Sequence, residues 1–362
     1  MVRSTVSWLK SWPYTFVTIL ALFVGVLTLV LSPVLDSPLR DPEGFLGPAY
    51  VRLPALGLAF FAVGVVPMAI RRAGLRHLPR GIREVIRDDW TWSRAAHVAV
   101  GLLAFYICYV CYRNLKSFLP LIRGDERHDA MLFDWDYFLM FGNSPEVVLH
   151  SLLGTGFVAQ ILSLIYVSYL MLIPITLAAF LVLNRDVSLG AWYATALSLN
   201  WILGVVSYYA IPSLGPAFWE PSRFELLPES GVTGLQNSLA RNATRFYEDP
   251  AGAAIYGIAG FASLHTSVVL TACLFFERTN QSKLVRIIGW VYFVGTVLAT
   301  IYFGWHYIAD VIGGAFIGWF AVALGGWVTK NGFWRQKHHA VQLTAAPEDE
   351  TANKGSSGVT TY

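Results

Sequence analysis

The chain has 362 residues, of which 55% are hydrophobic and 14% are charged, and its mean hydropathy is +0.52. This composition cannot cover a water-facing surface of ordinary polarity, which excludes a soluble globular protein. The formal net charge of +3, with no stacking aromatic platform beside the basic residues, is not typical of a nucleic-acid-binding protein. We therefore expect an all-α, polytopic membrane protein.

About eight stretches meet or nearly meet the roughly 20 apolar residues that a transmembrane helix needs. They lie near residues 14–35, 53–70, 95–113, 157–183, 190–211, 260–276, 286–304 and 306–328. The first is flanked by Arg3 and Lys10 and extends well past the apolar core of a signal peptide, so we interpret it as a retained anchor.

These stretches divide the chain into three parts. Residues 1–94 hold two transmembrane helices and a basic loop, and residues 95–330 form a six-helix membrane core. Residues 331–362 lack apolar periodicity and are expected to form a disordered tail.

The loop between the second and third spans is rich in arginine. Its arginines are Arg71, Arg72, Arg76, Arg80, Arg83, Arg87 and Arg94. Positively charged loops stay on the cytoplasmic side, so we expect this loop on the cytoplasmic side of the cell (plasma) membrane. Alternation from there predicts cytoplasmic termini and places the starts of the sixth and eighth spans on the extracytoplasmic side.

Two motifs, Ala-Ser-Leu-His265 and Gly-Trp-His306-Tyr-Ile-Ala-Asp310, each place a histidine at the start of an apolar run. Positions four apart share a helix face, so the Asp310 carboxylate is expected to hold Nδ1 of His306 and to leave Nε2 free as a nucleophile. A carboxylate inside a span costs about 2.5–3.5 kcal/mol and should have a partner. His265, near Ser263 at a helix N-terminus that favours a phosphate oxygen, is the candidate general acid. Alternatively, His306 and Asp310 form a structural pair that only tethers the last helix.

The two motifs, with 41 residues from His265 to His306, resemble the second and third signature motifs of the type 2 phosphatidic acid phosphatase superfamily. The resemblance covers roughly residues 100–328. It implies that His306 attacks phosphorus to form a phosphohistidine, that Asp310 orients it, and that His265 protonates the departing alcohol. It implies no metal or other cofactor.

The departures from the family pattern indicate a branch. The usual first motif, a lysine followed seven residues later by Arg-Pro, is absent, and Thr300 stands where an arginine is expected. These absences, the Ser-Leu-His motif and the proline-rich stretch 208–219 resemble inositol phosphorylceramide synthases, although Ala262 replaces the proline usual before the serine. The resemblance implies a lipid phosphotransferase of the inositolphosphotransferase type, with a phosphatase of lipid phosphates or polyprenyl (pyro)phosphates as the alternative.

Phosphoryl transfer requires positive charge around the phosphate oxygens, so other cations must replace the missing ligands. Lys116 and Arg113, near the end of the third span, are the first candidates, and each could equally be a solvated interfacial cation. The candidate substrate-binding residues are Lys116, Arg113, Arg223, Arg241, Arg245, Tyr209 and Ser263.

The segment 131–154 is too short and acidic to span a membrane and too apolar for a free loop, so we predict an interfacial helix or lid. Asp134 and Asp136 within it would hold a metal if the protein were a metal-dependent membrane glycosyltransferase. A transporter that uses the two histidines and Asp310 as a proton relay is the remaining alternative. Membrane lipids are the expected partners, and the oligomeric state stays open.

Overall fold

The computed structural model describes residues 12–41 and 48–332. All regular elements in these two ranges are helical, which confirms the predicted all-α class. The predicted disordered tail lies outside the described residues, apart from residues 331 and 332, and so do Arg3 and Lys10. The longer helices, in chain order, are α1 (Thr15–Val34), α2 (Ala49–Ala73), α3 (Leu78–Asp89), α4 (Trp92–Arg123), α5 (Asp129–Leu139), α6 (Pro145–Leu153), α7 (Phe157–Ala178), α8 (Val187–Ala210), α9 (Gly231–Glu248), α10 (Leu264–Arg278), α11 (Lys283–Tyr302) and α12 (Ile308–Val328).

Seven helices in the described ranges are long and apolar enough to cross a membrane. They are α1, α2, α4, α8, α11, α12, and α7 together with the π-helical turn Ala179–Leu183 that continues it. Helix α8 lies at the centre, because 83% of its apolar window is buried, compared with 22% for α1. The exposed sides of the outer helices remain apolar, as at Phe23 and Val291, which suits contact with lipid.

The sixth predicted span differs from the expectation. Helix α10 has 15 residues, about 22 Å, whereas the hydrocarbon core of a bilayer is about 30 Å thick. It begins at Leu264 because Ser263 caps it, and residues 254–263 before it are not helical. Side chains satisfy this extended backbone: Phe261 N donates to Ser213 Oγ at 2.9 Å and Ala262 N to Ser207 Oγ at 2.9 Å. Such backbone is tolerated at membrane depth when protein surrounds it.

Two glycines bring α10 and α12 into backbone contact. A Cβ at Gly314 would collide with the carbonyl of Ser263, and a Cβ at Gly318 would collide with the carbonyl of Ser267. Small residues four apart allow two membrane helices to approach this closely. The N-terminal ends of the two helices, where His265 and His306 lie, are therefore neighbours.

The segment predicted to be interfacial, 131–154, folds as two short helices, α5 and α6, that are joined by residues 140–144. Its outer side is apolar, with Phe138 81% exposed and Phe141 95% exposed. Exposed aromatic side chains of this kind suit a membrane interface.

The connection between α1 and α2 is bound to the core. The backbone N of Arg40 donates to Asn114 Oδ1 at 2.8 Å, and Asn114 Nδ2 donates to the Arg40 carbonyl at 2.7 Å. The Arg40 guanidinium donates to the carbonyls of Pro250 and Gly252. These bonds join the first two helices to α4 and to the loop after α9.

Candidate active site

His306 lies two residues before α12 and is 5% exposed. Its Nδ1 is 3.3 Å from Oδ2 of Asp310, and the same oxygen accepts a hydrogen bond from the backbone N of Tyr307 at 3.0 Å. The predicted contact is present, but its origin differs from the expectation, because His306 precedes the helix and Asp310 lies in its first turn. A carboxylate at this position both caps the helix and holds the imidazole of His306. With the Nδ1 proton directed at Asp310, Nε2 carries the lone pair.

His265, the second residue of α10, faces the same place from the neighbouring helix. Its ring lies between Tyr166 and Tyr169, with centroid distances of 4.3 Å and 4.2 Å. The centroids of the His265 and His306 rings are 5.9 Å apart. Both rings line one cavity of about 290 Å³, close enough together for a single phosphate group to contact both.

The cavity is bounded by residues from α2, α4, α7, α8, α9 and the start of α10, and from the segments that follow α8 and precede α10 and α12. Nine of the residues that line it are aromatic. The aromatic lining residues are Phe105, Tyr109, Tyr112, Tyr166, Tyr169, Trp201, Tyr208, Phe218 and Trp305. Aromatic and aliphatic side chains in the wall lower the local dielectric, which strengthens charge interactions inside.

Three cationic side chains also line the cavity: Lys116, Arg113 and Arg52. Lys116 is 8% exposed, and its Nζ lies 5.1 Å from the centroid of the Tyr208 ring. Within residues 12–41 and 48–332, Lys116 makes no ion pair with a carboxylate. A buried ammonium without a counter-ion is costly, so a bound anion would stabilise it.

Arg52 is a cavity residue that sequence reasoning missed. The predicted second span began at residue 53, one position after it, whereas helix α2 begins at Ala49. The signal was present in the sequence, because an arginine in the first turns of an apolar helix is rare and often functional. Arg113 and Lys116 line the same cavity as the histidines, and their role as phosphate ligands stays a prediction.

The remaining predicted ligands lie away from the cavity lining. Arg223 binds Glu146 Oε1 at 3.1 Å and also Glu220, and it is held over the ring of Phe133. Arg241 and Arg245 are exposed on α9.

Two of the predicted polar ligands have structural partners instead. The hydroxyl of Tyr209 donates to the Leu115 carbonyl at 2.7 Å, while its neighbour Tyr208 lines the cavity. Ser263 is fully buried, and its hydroxyl accepts from the backbone N of Thr266 as the cap of α10.

Asp134 and Asp136 do not converge. Residues two apart on a helix point to different sides, and on α5 Asp134 is exposed whereas Asp136 is 3% exposed. Asp136 accepts a hydrogen bond from the backbone N of Ile308 at 2.9 Å. No group of three or more His, Cys, Asp or Glu side chains with metal-binding geometry occurs in the part of the chain that the structure describes. The geometry therefore does not support a metal site built on the Asp-X-Asp pair.

Comparison with known proteins gives one match. The family model of the PAP2 superfamily matches residues 130–324, which is more than half of the chain. No curated protein and no solved structure matches the chain significantly. The matched range includes His265, His306 and Asp310 and ends before α12 does. It supports a membrane-embedded lipid enzyme of the phosphatase or phosphotransferase type, and on this match the chain belongs to the PAP2 superfamily.

Proposed function

We propose that the protein is an integral-membrane lipid phosphotransferase that moves a phosphoryl group or an inositol-phosphate-like headgroup through a phosphohistidine at the extracytoplasmic face. One observation carries the proposal: the rings of His265 and His306 lie 5.9 Å apart in a common cavity, and Asp310 holds Nδ1 of His306. This is the arrangement of a nucleophile, its orienting carboxylate and a nearby general acid.

In the first half-reaction, Nε2 of His306 attacks phosphorus, the N–P bond forms, and the bond from phosphorus to the leaving alcohol oxygen breaks. Protonated His265 gives its proton to that oxygen. Asp310 stabilises the positive charge that develops on the His306 ring. In the second half-reaction, the hydroxyl oxygen of an acceptor attacks phosphorus, a new P–O bond forms as the N–P bond to His306 breaks, and the hydroxyl proton passes to His265, which restores both histidines.

The positive charge of Lys116 and Arg113 supports this chemistry. In phosphoryl transfer, fixed cations around the phosphate oxygens supply most of the stabilisation of the transition state. Both side chains line the cavity with the histidines, and they take the place of the family ligands that the sequence lacks.

The aromatic wall supports transfer to an alcohol over hydrolysis. A phosphohistidine enclosed by tyrosine and tryptophan rings is shielded from bulk water, so a bound acceptor hydroxyl competes better for phosphorus. Hydrolysis shares the first half-reaction, and a phosphatase is therefore the outcome to be distinguished by experiment.

The decisive experiment uses the purified full chain, a phosphatidylinositol labelled with ³²P, and an acceptor lipid with a free hydroxyl. We expect an acid-labile label on the wild-type protein and labelled acceptor as the product. His306→Ala should lose both, with a turnover decrease of at least about a thousandfold. His77→Ala, at an exposed position in the turn before α3, is the matched control and should behave as wild type.

Each contrary outcome has a clear meaning. Full turnover by folded His306→Ala would contradict the proposal. Release of labelled inositol phosphate into water in the presence of the acceptor would show hydrolysis of the phosphodiester in place of transfer. Movement of lipid across vesicles without any labelled protein or product would identify a transporter.

A further inference from the structure

Helix α5 directs two buried carboxylates at the segment that carries His306. Asp129, the first residue of the helix, is fully buried, and Asp136 is 3% exposed. The two are seven residues apart and therefore share one face of the helix. The sequence predicted neither of them as part of a phosphoryl-transfer site.

Asp136 holds the backbone directly after the nucleophile. Its Oδ1 and Oδ2 accept from the backbone N of Ile308 at 2.9 Å and 3.2 Å. Ile308 is the first residue of α12, so its N–H has no partner within the helix. Asp310 already takes the N–H of Tyr307, and the two carboxylates together fix the backbone at both residues after His306.

Asp129 holds the same segment through a side chain and joins it to a loop. Its Oδ1 accepts from the hydroxyl of Tyr307 at 3.0 Å and from the backbone N of Gly215 at 2.9 Å. Gly215 lies against the backbone of Trp305, and a Cβ there would collide with the Trp305 carbonyl. The residues on both sides of His306 are thus bound to α5 or to a loop that α5 holds.

The charged form of Asp136 is costly in this position. The pKa of Asp136 is raised to about 7, mainly by burial and also by the nearby carboxylates of Asp310 and Glu146, although the Ile308 N–H acts to lower it. Glu146 is paired with Arg223. The geometry requires an acceptor oxygen for the Ile308 N–H at this position, and an uncharged amide oxygen could accept the same bond.

We propose that Asp136 and Asp129 are positioning residues that hold the His306–Tyr307–Ile308 segment so that the imidazole faces the cavity. This inference rests on the proposed function, because it assigns to these residues a part in the reaction of His306. A displacement of about 1 Å at a nucleophile can cost on the order of a hundredfold in rate.

The test compares Asp136→Ala with Asp136→Asn in the full-length protein. Asp136→Ala removes the acceptor for Ile308 N, and we expect the rate of phosphohistidine formation per titrated site to fall about 10- to 100-fold, with KM changed less than about threefold. Asp136→Asn keeps an acceptor oxygen and should restore the rate to within about threefold of wild type. Asp134→Ala, on the exposed side of α5, is the matched control.

Rates are expressed per phosphorylatable site, so that a loss of folded protein does not count as a loss of positioning. If Asp136→Ala does not fold, Tyr307→Phe is tested in its place, since this change removes only the hydroxyl that binds Asp129. We expect the rate of phosphohistidine formation per site to fall about three- to tenfold in this variant. Wild-type rates per site in folded Asp136→Ala, or in Tyr307→Phe where that variant replaces it, would overturn the inference. Failure of the proposed function would look different, because wild-type protein would then form no label that depends on His306.

Discussion

The cavity has two walls that are built differently. The histidine wall consists of His265 and His306, with Asp310 behind His306, and hydrogen bonds and close helix contact hold it in place. The cation wall consists of Arg52, Arg113 and Lys116 on α2 and α4, and helix packing and aromatic contact hold it, as between Lys116 and Tyr208.

The two walls also differ in whether the family match covers them. The histidine wall lies within residues 130–324, the range that matches the PAP2 superfamily, whereas all three cations precede it. We infer that the shared range contributes the chemical step and that the preceding helices contribute the recognition of the phosphate and its substituents. Changes in the histidine wall should therefore lower mainly kcat, and changes in the cation wall should also raise KM.

The largest effect among these tests is expected for Asp310→Asn. The amide can still accept from the backbone N of Tyr307, but it no longer stabilises the His306 imidazolium or selects the tautomer with a free Nε2. We expect kcat to fall on the order of 10³- to 10⁴-fold with little change in KM. Steady-state rates and the burst of phosphohistidine measure this. A variant that keeps more than a tenth of the wild-type kcat would contradict the assignment of Asp310 to the chemical step.

Lys116→Met is expected to have a smaller effect that appears in both constants. The methionine preserves the apolar volume and removes the charge, and we expect kcat/KM to fall about a hundredfold. Without substrate, the variant should melt at a higher temperature than wild type, since a buried cation without a carboxylate partner has been removed. Inorganic phosphate should stabilise wild type more than Lys116→Met in the same melting assay. Equal stabilisation of both proteins would show that Lys116 does not bind phosphate.

Arg52→Gln should have the smallest effect of the three. Its side chain comes from α2, at the side of the cavity formed by the first two helices. We expect KM to rise about fivefold, or about 1 kcal/mol, with kcat unchanged. Arg83→Gln, at an exposed position on α3, is the matched control. A fall in kcat at constant KM would instead place Arg52 with the histidine wall and would remove the distinction between the two.

Much of the architecture was predictable because it follows from local patterns. Seven of the eight predicted spans correspond to helices that can cross a membrane, since about 20 apolar residues suffice to define such a helix. The superfamily was also predictable from two short motifs and their separation, and the family match confirms it. The inositol phosphorylceramide synthase branch and the roles of the site residues stay predictions.

The membrane class, the approximate helices and the motifs that carry the histidines are thus readable from the chain alone, because hydropathy and motif spacing are properties of neighbouring residues. Three features required the folded chain: Arg52 lines the cavity, Arg223 is paired with Glu146, and α10 is preceded by extended backbone. These outcomes depend on contacts between distant residues, such as Asp129 with Tyr307, 178 positions apart. The physical reason is that a charged or hydrogen-bonding group takes whichever partner the folded chain brings to it, and sequence spacing does not reveal that partner.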